Sequence, residues 1–170
     1  MKMNAQKQVY LCAPLAEGGA ILYAGLIGML IGKPIVFSSL GPTAFEQVEK
    51  PTSPGAHPYN VVVGHLIGIL AGFAGLALSH AWPAPAVLST HLLAWPRMWA
   101  AVFAVAITTL WNLLAKASQP AACATTLLVA LGSFQTFHRA LILMLGIIAI
   151  VVVGEPLRRL RLHFGPPPAS

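Results

Sequence analysis

Long apolar runs alternate along the chain with two shorter stretches broken by proline, glycine and polar residues. The runs at residues 18–37, 61–79, 98–115 and 140–154 read as four membrane-spanning helices. In the first, Gly25 and Gly28 share a helix face, and in the second Gly64, Gly68, Gly72 and Gly75 follow at intervals of four, four and three. That second set forms one stripe, which admits another backbone at close range. The fourth run has 15 residues and reaches about 22 Å, against a hydrocarbon core of about 30 Å. It must therefore borrow length from its flanks.

The first broken stretch, residues 38–65, is the most polar part of the chain and holds two of its four acids, Glu46 and Glu49, together with Ser38, Ser39, Thr43, His57, Asn60 and His65. Its opening has the grammar of a helix start, with Ser39 or Gly41 as cap and Pro42 at the first helical position. The second, residues 118–133, reads SQPAACATTLLVALGS and opens the same way on Ser118 and Pro120. Broken backbone at membrane depth is tolerated only where protein buries it or where it lines a cavity. These two stretches are thus the candidate functional region. Between the halves, residues 80–96 carry Trp82 and Trp95 among prolines, as an interfacial connector does. In the third run, Thr108 and Asn112 fall on one face, turned inward.

The two broken stretches also match in order. Thr43 and Thr125 lie 82 residues apart, and the spans around them recur at nearly the same offset. The chain reads as one transmembrane domain, residues 1–170, of two pseudo-repeats, about 1–83 and 84–170. Re-entrant middle segments give parallel repeats, and crossing ones give inverted repeats. The distribution of basic residues mildly favours crossing, whereas Glu46, Glu49 and Lys50 make the first middle segment a poor crossing. The expected fold is all-α and polytopic: four full spans, two broken or re-entrant half-helices and a two-fold internal repeat.

Composition agrees with a membrane protein, at 57% hydrophobic and 8% charged with a mean hydropathy of +0.77. The net charge of +6 is not gathered into a patch, which argues against nucleic acid. Lys2 and Lys7 precede the first span and Arg158, Arg159 and Arg161 follow the last, so both termini are expected in the cytoplasm, with a bacterial inner membrane as the location. The first run lacks an Ala-x-Ala exit and continues into Lys33-Pro34, as a retained span does. Glu17, at its start, reads as interfacial.

Two half-helices that begin inside the membrane turn unpaired N–H groups and positive dipole ends to one locus, which suits a small anion. The backbone amides of residues 41–43 and 121–125 form the expected cradle. Ser38, Ser39, Thr43, Gln119 and Thr125 add neutral donors, Asn112 faces the same interior, and His65 or Lys116 supplies adjustable positive charge. The competing explanation is that these groups cap each other's helices. The six histidines show no metal-ligand spacing, Cys12 and Cys123 form no Cys-x-x-Cys, Gly-x-Ser-x-Gly is absent and there is no Asp, so neither a metal, a cofactor nor an enzymatic reaction is expected. Glu46 and Glu49 read as a solvated helix end beside Lys50.

SSLGPTAF at 38–45, SPGAHPYN at 53–60 and GHLIG at 64–68 together resemble the HPP family of small integral membrane proteins. The motif that names the family falls on QPAACATTL at 119–127. Pro120, Ala122, Ala124, Thr125 and Leu127 match, while Gln119 replaces the histidine, Ala121 the second proline and Cys123 the glycine. Lys116 stands where the family often has a basic residue. The family includes nitrite transporters of plastids and cyanobacteria. The resemblance implies transport of a small anion, nitrite first, through a site that includes Gly41, Pro42, Asn60, Pro120, Ala122 and Cys123 with the donors above. Four spans are few to enclose a pathway, so a homo-oligomer in the lipid bilayer is expected. The alternative is a non-transporting scaffold or sensor subunit.

Overall fold

A computed structural model describes residues 5–164, and among them there are helices and no strands. Lys2 and the Pro-rich tail at 165–170 lie outside the described residues, as does the side chain of Lys7. In chain order the helices are α1 (Ala5–Leu30), α2 (Leu40–Glu49), α3 (Pro58–Leu78), α4 (Val87–Thr90), α5 (Trp95–Leu114), α6 (Ala121–Ala130) and α7 (Phe137–Phe164), with a 3-10 turn at Pro54–Ala56. Four are long and apolar enough to cross a membrane: Leu11–Leu30, Pro58–Leu78, Trp95–Leu114 and Phe137–His163. The protein is an integral, multi-pass membrane protein.

The boundaries have local causes. The apolar pattern predicts a first span to residue 37, but α1 ends at Leu30 because Gly32 takes a left-handed φ of 62° and Lys33 N–H returns to Gly28 O at 2.9 Å. Pro34 then prevents resumption. At its other end α1 already includes Pro14, so Glu17 sits well inside the helix rather than at its start. The last span borrows from both flanks, as its short apolar core requires. In α2, Ser39 occupies the cap position without a side-chain cap bond, and Pro42 is the third helical residue, not the first. Pro120, not Ser118, holds the cap position of α6.

At 10 residues each, α2 and α6 reach about 15 Å, half a hydrocarbon core. They are half-helices. Their directions follow from their neighbours. A Cβ added at Gly64, Gly68 or Gly72 of α3 would meet Gln119, Ala122 or Val129 respectively, so α3 and α6 run in parallel. Leu40 and Gln47 of α2 lie at Gly146 and Gly154 of α7, so those two also run in parallel. Gly75 against Ala100 and Gly64 against Asn112 set α5 antiparallel to α3. The turn at Gly28 and Ile35 sets α2 antiparallel to α1. Glu46 against Gly55, just before α3, and Thr43 against His65 within it do the same for α2 and α3. Each half therefore runs out, back and out again, and the second half does so in the opposite sense. That is the inverted arrangement, which a purely re-entrant middle segment does not give.

Each half-helix thus lies on the final long helix of the other half. The equivalence holds by residue. Val129 packs on Gly72 and Gln47 on Gly154, both members of the second pair being 82 residues from their counterparts. The central contacts include small or β-branched residues, among them Ala20, Ala24, Ile69, Ala100, Ala104, Ile147 and Ile150. Small residues at helix crossings bring backbones close, which is how helices associate when lipid removes most of the hydrophobic drive.

Candidate functional site

At the heart of the bundle, the imidazole of His65 on α3 joins the two half-helices. Its Nε2 lies 3.0 Å from Thr43 Oγ1 on α2, and its Nδ1 lies 2.7 Å from Thr125 Oγ1 on α6. All three residues are fully buried. Thr43 Oγ1–H donates to Ser39 O at 2.8 Å. Its oxygen must then accept from His65 Nε2–H, which leaves Nδ1 to accept from Thr125. The network thus defines a neutral ring protonated at Nε2. A second threonine pair lies beside it, Thr108 on α5 and Thr126 on α6 at 2.7 Å.

The α3 glycines make this geometry possible. At Gly68, an added Cβ would stand 2.7 Å from Ala122 O and 2.9 Å from Thr126 Oγ1. Any larger residue would push α6 away and draw Thr125 from His65.

Beside this seam, a groove of about 270 Å³ opens between the C-terminal end of α5 and the N-terminal end of α6. It is lined by Thr109, Asn112, Leu113, Lys116, Ser118, Gln119, Pro120 and Cys123. Lys116 is exposed and takes a left-handed φ of 52° in the α5–α6 turn. Asn112 is 8% exposed, and its Oδ1 has no hydrogen-bond partner. That oxygen points toward Gly64 of α3, so the donor end of the amide is turned the other way. No carboxylate lines the groove. The positive end of α6, an ammonium and neutral donors make its lining favourable to an anion.

Several expected cradle groups are already bonded. Gln119 Nε2 donates to Gly55 O at 3.0 Å, and Gln119 Oε1 accepts from Ala121 N–H at 3.3 Å. Ala122 N–H and Cys123 N–H donate to Gln119 O and Pro120 O, and Thr43 N–H to Ser39 O. The donors left for a ligand are chiefly side chains.

The sequence-predicted residues therefore divide into three groups. Thr43, His65 and Thr125 meet in the seam, with Ser39 buried at its edge and its Oγ unpartnered. Asn112, Lys116, Gln119, Pro120 and Cys123 meet in the groove, and Ala122 lies buried behind it on Gly68. The others stand apart. Asn60 Nδ2 donates to Pro54 O at 2.6 Å and holds the turn before α3, while Gly41 and Pro42 are exposed. Ser38 borders a separate apolar cavity of about 230 Å³ with Leu88, Leu127 and Leu131.

Ser118 and Thr109 of the groove were not singled out as ligand-binding by sequence, and neither was Gly55, whose carbonyl fixes Gln119. Glu46 and Glu49 are not a solvated end: both are half-buried, and Glu46 Oε2 and Glu49 Oε1 are buried without partners. Arg97 is fully buried and donates to the carbonyls of Pro85, Ala130 and Ala84, so it caps the C-terminal end of α6.

A family model described as HPP, transmembrane region, matches residues 3–163. The chain belongs to the HPP family. No curated protein and no solved structure matches it. In this HPP protein the region of the family's naming motif, residues 119–127, leads through the cap at Pro120 into the first seven residues of α6. Its side chains divide between groove and seam: Gln119, Pro120 and Cys123 line the groove, while Thr125 bonds His65.

Proposed function

We propose that this HPP protein moves a small inorganic anion across the membrane, with nitrite the leading candidate, and that the anion binds in the groove at the N-terminal end of α6. The observation that carries this reading is the groove's lining: Asn112, Lys116 and Ser118 offer donors and positive charge beside a helix N-terminus, with no carboxylate opposing them. The anion passes unchanged, held by hydrogen bonds and dipoles weak enough to release it. Thr43, His65 and Thr125 close the interior face of the site. We place the protein in a bacterial inner membrane with both termini in the cytoplasm, as a homo-oligomer.

The test is uptake into liposomes holding the purified protein, with nitrite, nitrate, formate and chloride measured in parallel. We expect saturable nitrite uptake, reduced at least about tenfold in Lys116→Ala and in Asn112→Leu, one order of magnitude being the usual consequence of losing about 1.4 kcal/mol of anion binding. The bonded state of the motif amides favours a second reading, a non-transporting scaffold or sensor subunit. In that case folded protein takes up none of the four anions.

A further inference from the structure

Helices α2 and α6 start on the same backbone turn. Leu40 N–H donates to Phe37 O at 3.0 Å, and at the 82-residue offset Ala122 N–H donates to Gln119 O at 3.1 Å. The side chains at these two equivalent positions both cross to the other half of the molecule. Phe37 meets the ring of Phe134 edge-on, with centroids 4.7 Å apart, whereas Gln119 Nε2 donates to Gly55 O at 3.0 Å. At the start of α2 the ring suffices, and the cap residue Ser39 makes no side-chain bond. The turn therefore needs no amide, and Gln119 calls for another reason.

That reason lies in the first turn of α6. Ala122 N–H and Cys123 N–H already bond to Gln119 O and Pro120 O, and Pro120 has no N–H to give. Of the first three amides of α6, this leaves Ala121 N–H, and Gln119 Oε1 accepts from it. At 3.3 Å the bond is longer than the usual range of about 2.7–3.2 Å, so it is a weak one. Gln119 also lines the groove, so its amide oxygen takes the place at the helix N-terminus that suits an anion.

We propose that Gln119 is a built-in competitor for the anion: its amide oxygen covers Ala121 N–H until an anion in the groove displaces it and accepts from that N–H instead. This rests on the groove being the anion site. A charged acceptor replaces a neutral one, which makes the stronger hydrogen bond, and the freed amide oxygen turns toward the mouth of the groove at Lys116 and Ser118. Two consequences follow. The apparent affinity is the intrinsic one reduced by the fraction of molecules in which α6 is uncovered, so the anion is held loosely enough to leave. Only an acceptor stronger than an amide oxygen wins the place, so neutral solutes are turned away in favour of anions. A Gln119 that instead held the anion through Nε2 would act with the opposite sign, since its removal would weaken binding.

The experiment is a titration of sodium nitrite against the reaction of Cys123 with a charged thiol reagent, in the full chain in liposomes with Cys12→Ala. Gln119→Ala is expected to lower the half-protecting nitrite concentration by about threefold to tenfold, the range that one ordinary hydrogen bond spans. Nitrogen NMR of the parent labelled with 15N-glutamine gives a second reading, and decides the matter if Gln119→Ala does not fold. The Gln119 side-chain amide, assigned by its loss in the similarly shaped Gln119→Met, is expected to shift as nitrite saturates the groove. A folded Gln119→Ala protein that binds nitrite no more tightly than the parent overturns the proposal and leaves the groove reading standing. So does a parent amide that stays unmoved while nitrite protects Cys123. Absence of protection in the parent and in the variant overturns the groove reading and this inference together.

Discussion

Thr43 on α2 and Thr125 on α6 hold the same imidazole from helices of equal length, yet those helices are anchored by different means. Helix α6 lies on the glycine stripe of α3, and at its C-terminal end Arg97 gathers the carbonyls of Ala84, Pro85 and Ala130 under Gly132, which takes a φ of 92°. Its N-terminal end opens into the groove. Helix α2 lies on Gly146 and Gly154 of α7, but there Gln47 replaces the apolar contact that Val129 makes on Gly72. The Gln47 amide is fully buried, and neither Oε1 nor Nε2 has a partner. Two helices from one plan have thus diverged: α6 is fixed at one end and open to a ligand at the other, while α2 carries polar groups that its packing does not satisfy.

The largest expected effect lies at Arg97. Replacing it with Leu strips three carbonyls of their donor and removes the charge at the C-terminal end of α6, at a cost of about 3 kcal/mol or more. Lys50→Ala, just past the end of α2, is expected to stay within about 0.5 kcal/mol. Reversible unfolding in mixed micelles measures both, and equal losses would remove the asymmetry.

Next comes the glycine floor. Gly68→Val pushes against Ala122 O and Thr126 and should cost about 1–3 kcal/mol. A Cβ at Gly41 of α2 meets nothing within 4 Å, so Gly41→Ala should be nearly silent. The same unfolding assay compares them.

The smallest effect has the opposite sign. Gln47→Leu exchanges an unsatisfied amide for an apolar group of similar size and should be neutral or stabilising by about 1 kcal/mol. Val129→Gln, the reciprocal change on α6, should destabilise by about 1–3 kcal/mol. Thermal unfolding in detergent reads the two signs, and a marked loss in Gln47→Leu would mean that the amide has a partner in the bilayer.

Much of this frame is legible in sequence because apolar length, a glycine stripe and the offset between Thr43 and Thr125 are one-dimensional signals. So is the inward face of Thr108 and Asn112. Other features are not. Residues 31–37 are apolar enough to extend the first span, but the turn at Gly32 and Lys33 ends α1 and Pro34 keeps it from resuming. Arg97 looks like an ordinary flanking charge, since the groups that hold it are carbonyls from distant segments. His65 stands out as polar in a span, but that it serves both half-helices depends on the inverted packing. The groove forms where the end of α5 meets the start of α6 in space, so Ser118 gives no sign beyond its place before Pro120.

Cys123, in the groove, and Gly41, exposed on α2, are counterparts at the 82-residue offset, and this permits one direct measurement. With Cys12 replaced by Ala, the rate at which a charged thiol reagent modifies Cys123 is followed as nitrite is added. It is then repeated with the cysteine moved to α2 by Cys123→Gly and Gly41→Cys. We expect nitrite to slow the reaction at position 123 saturably and to leave that at position 41 unchanged. Equal protection at both positions, or none at 123 in folded protein, would contradict the assignment of the anion site to α6.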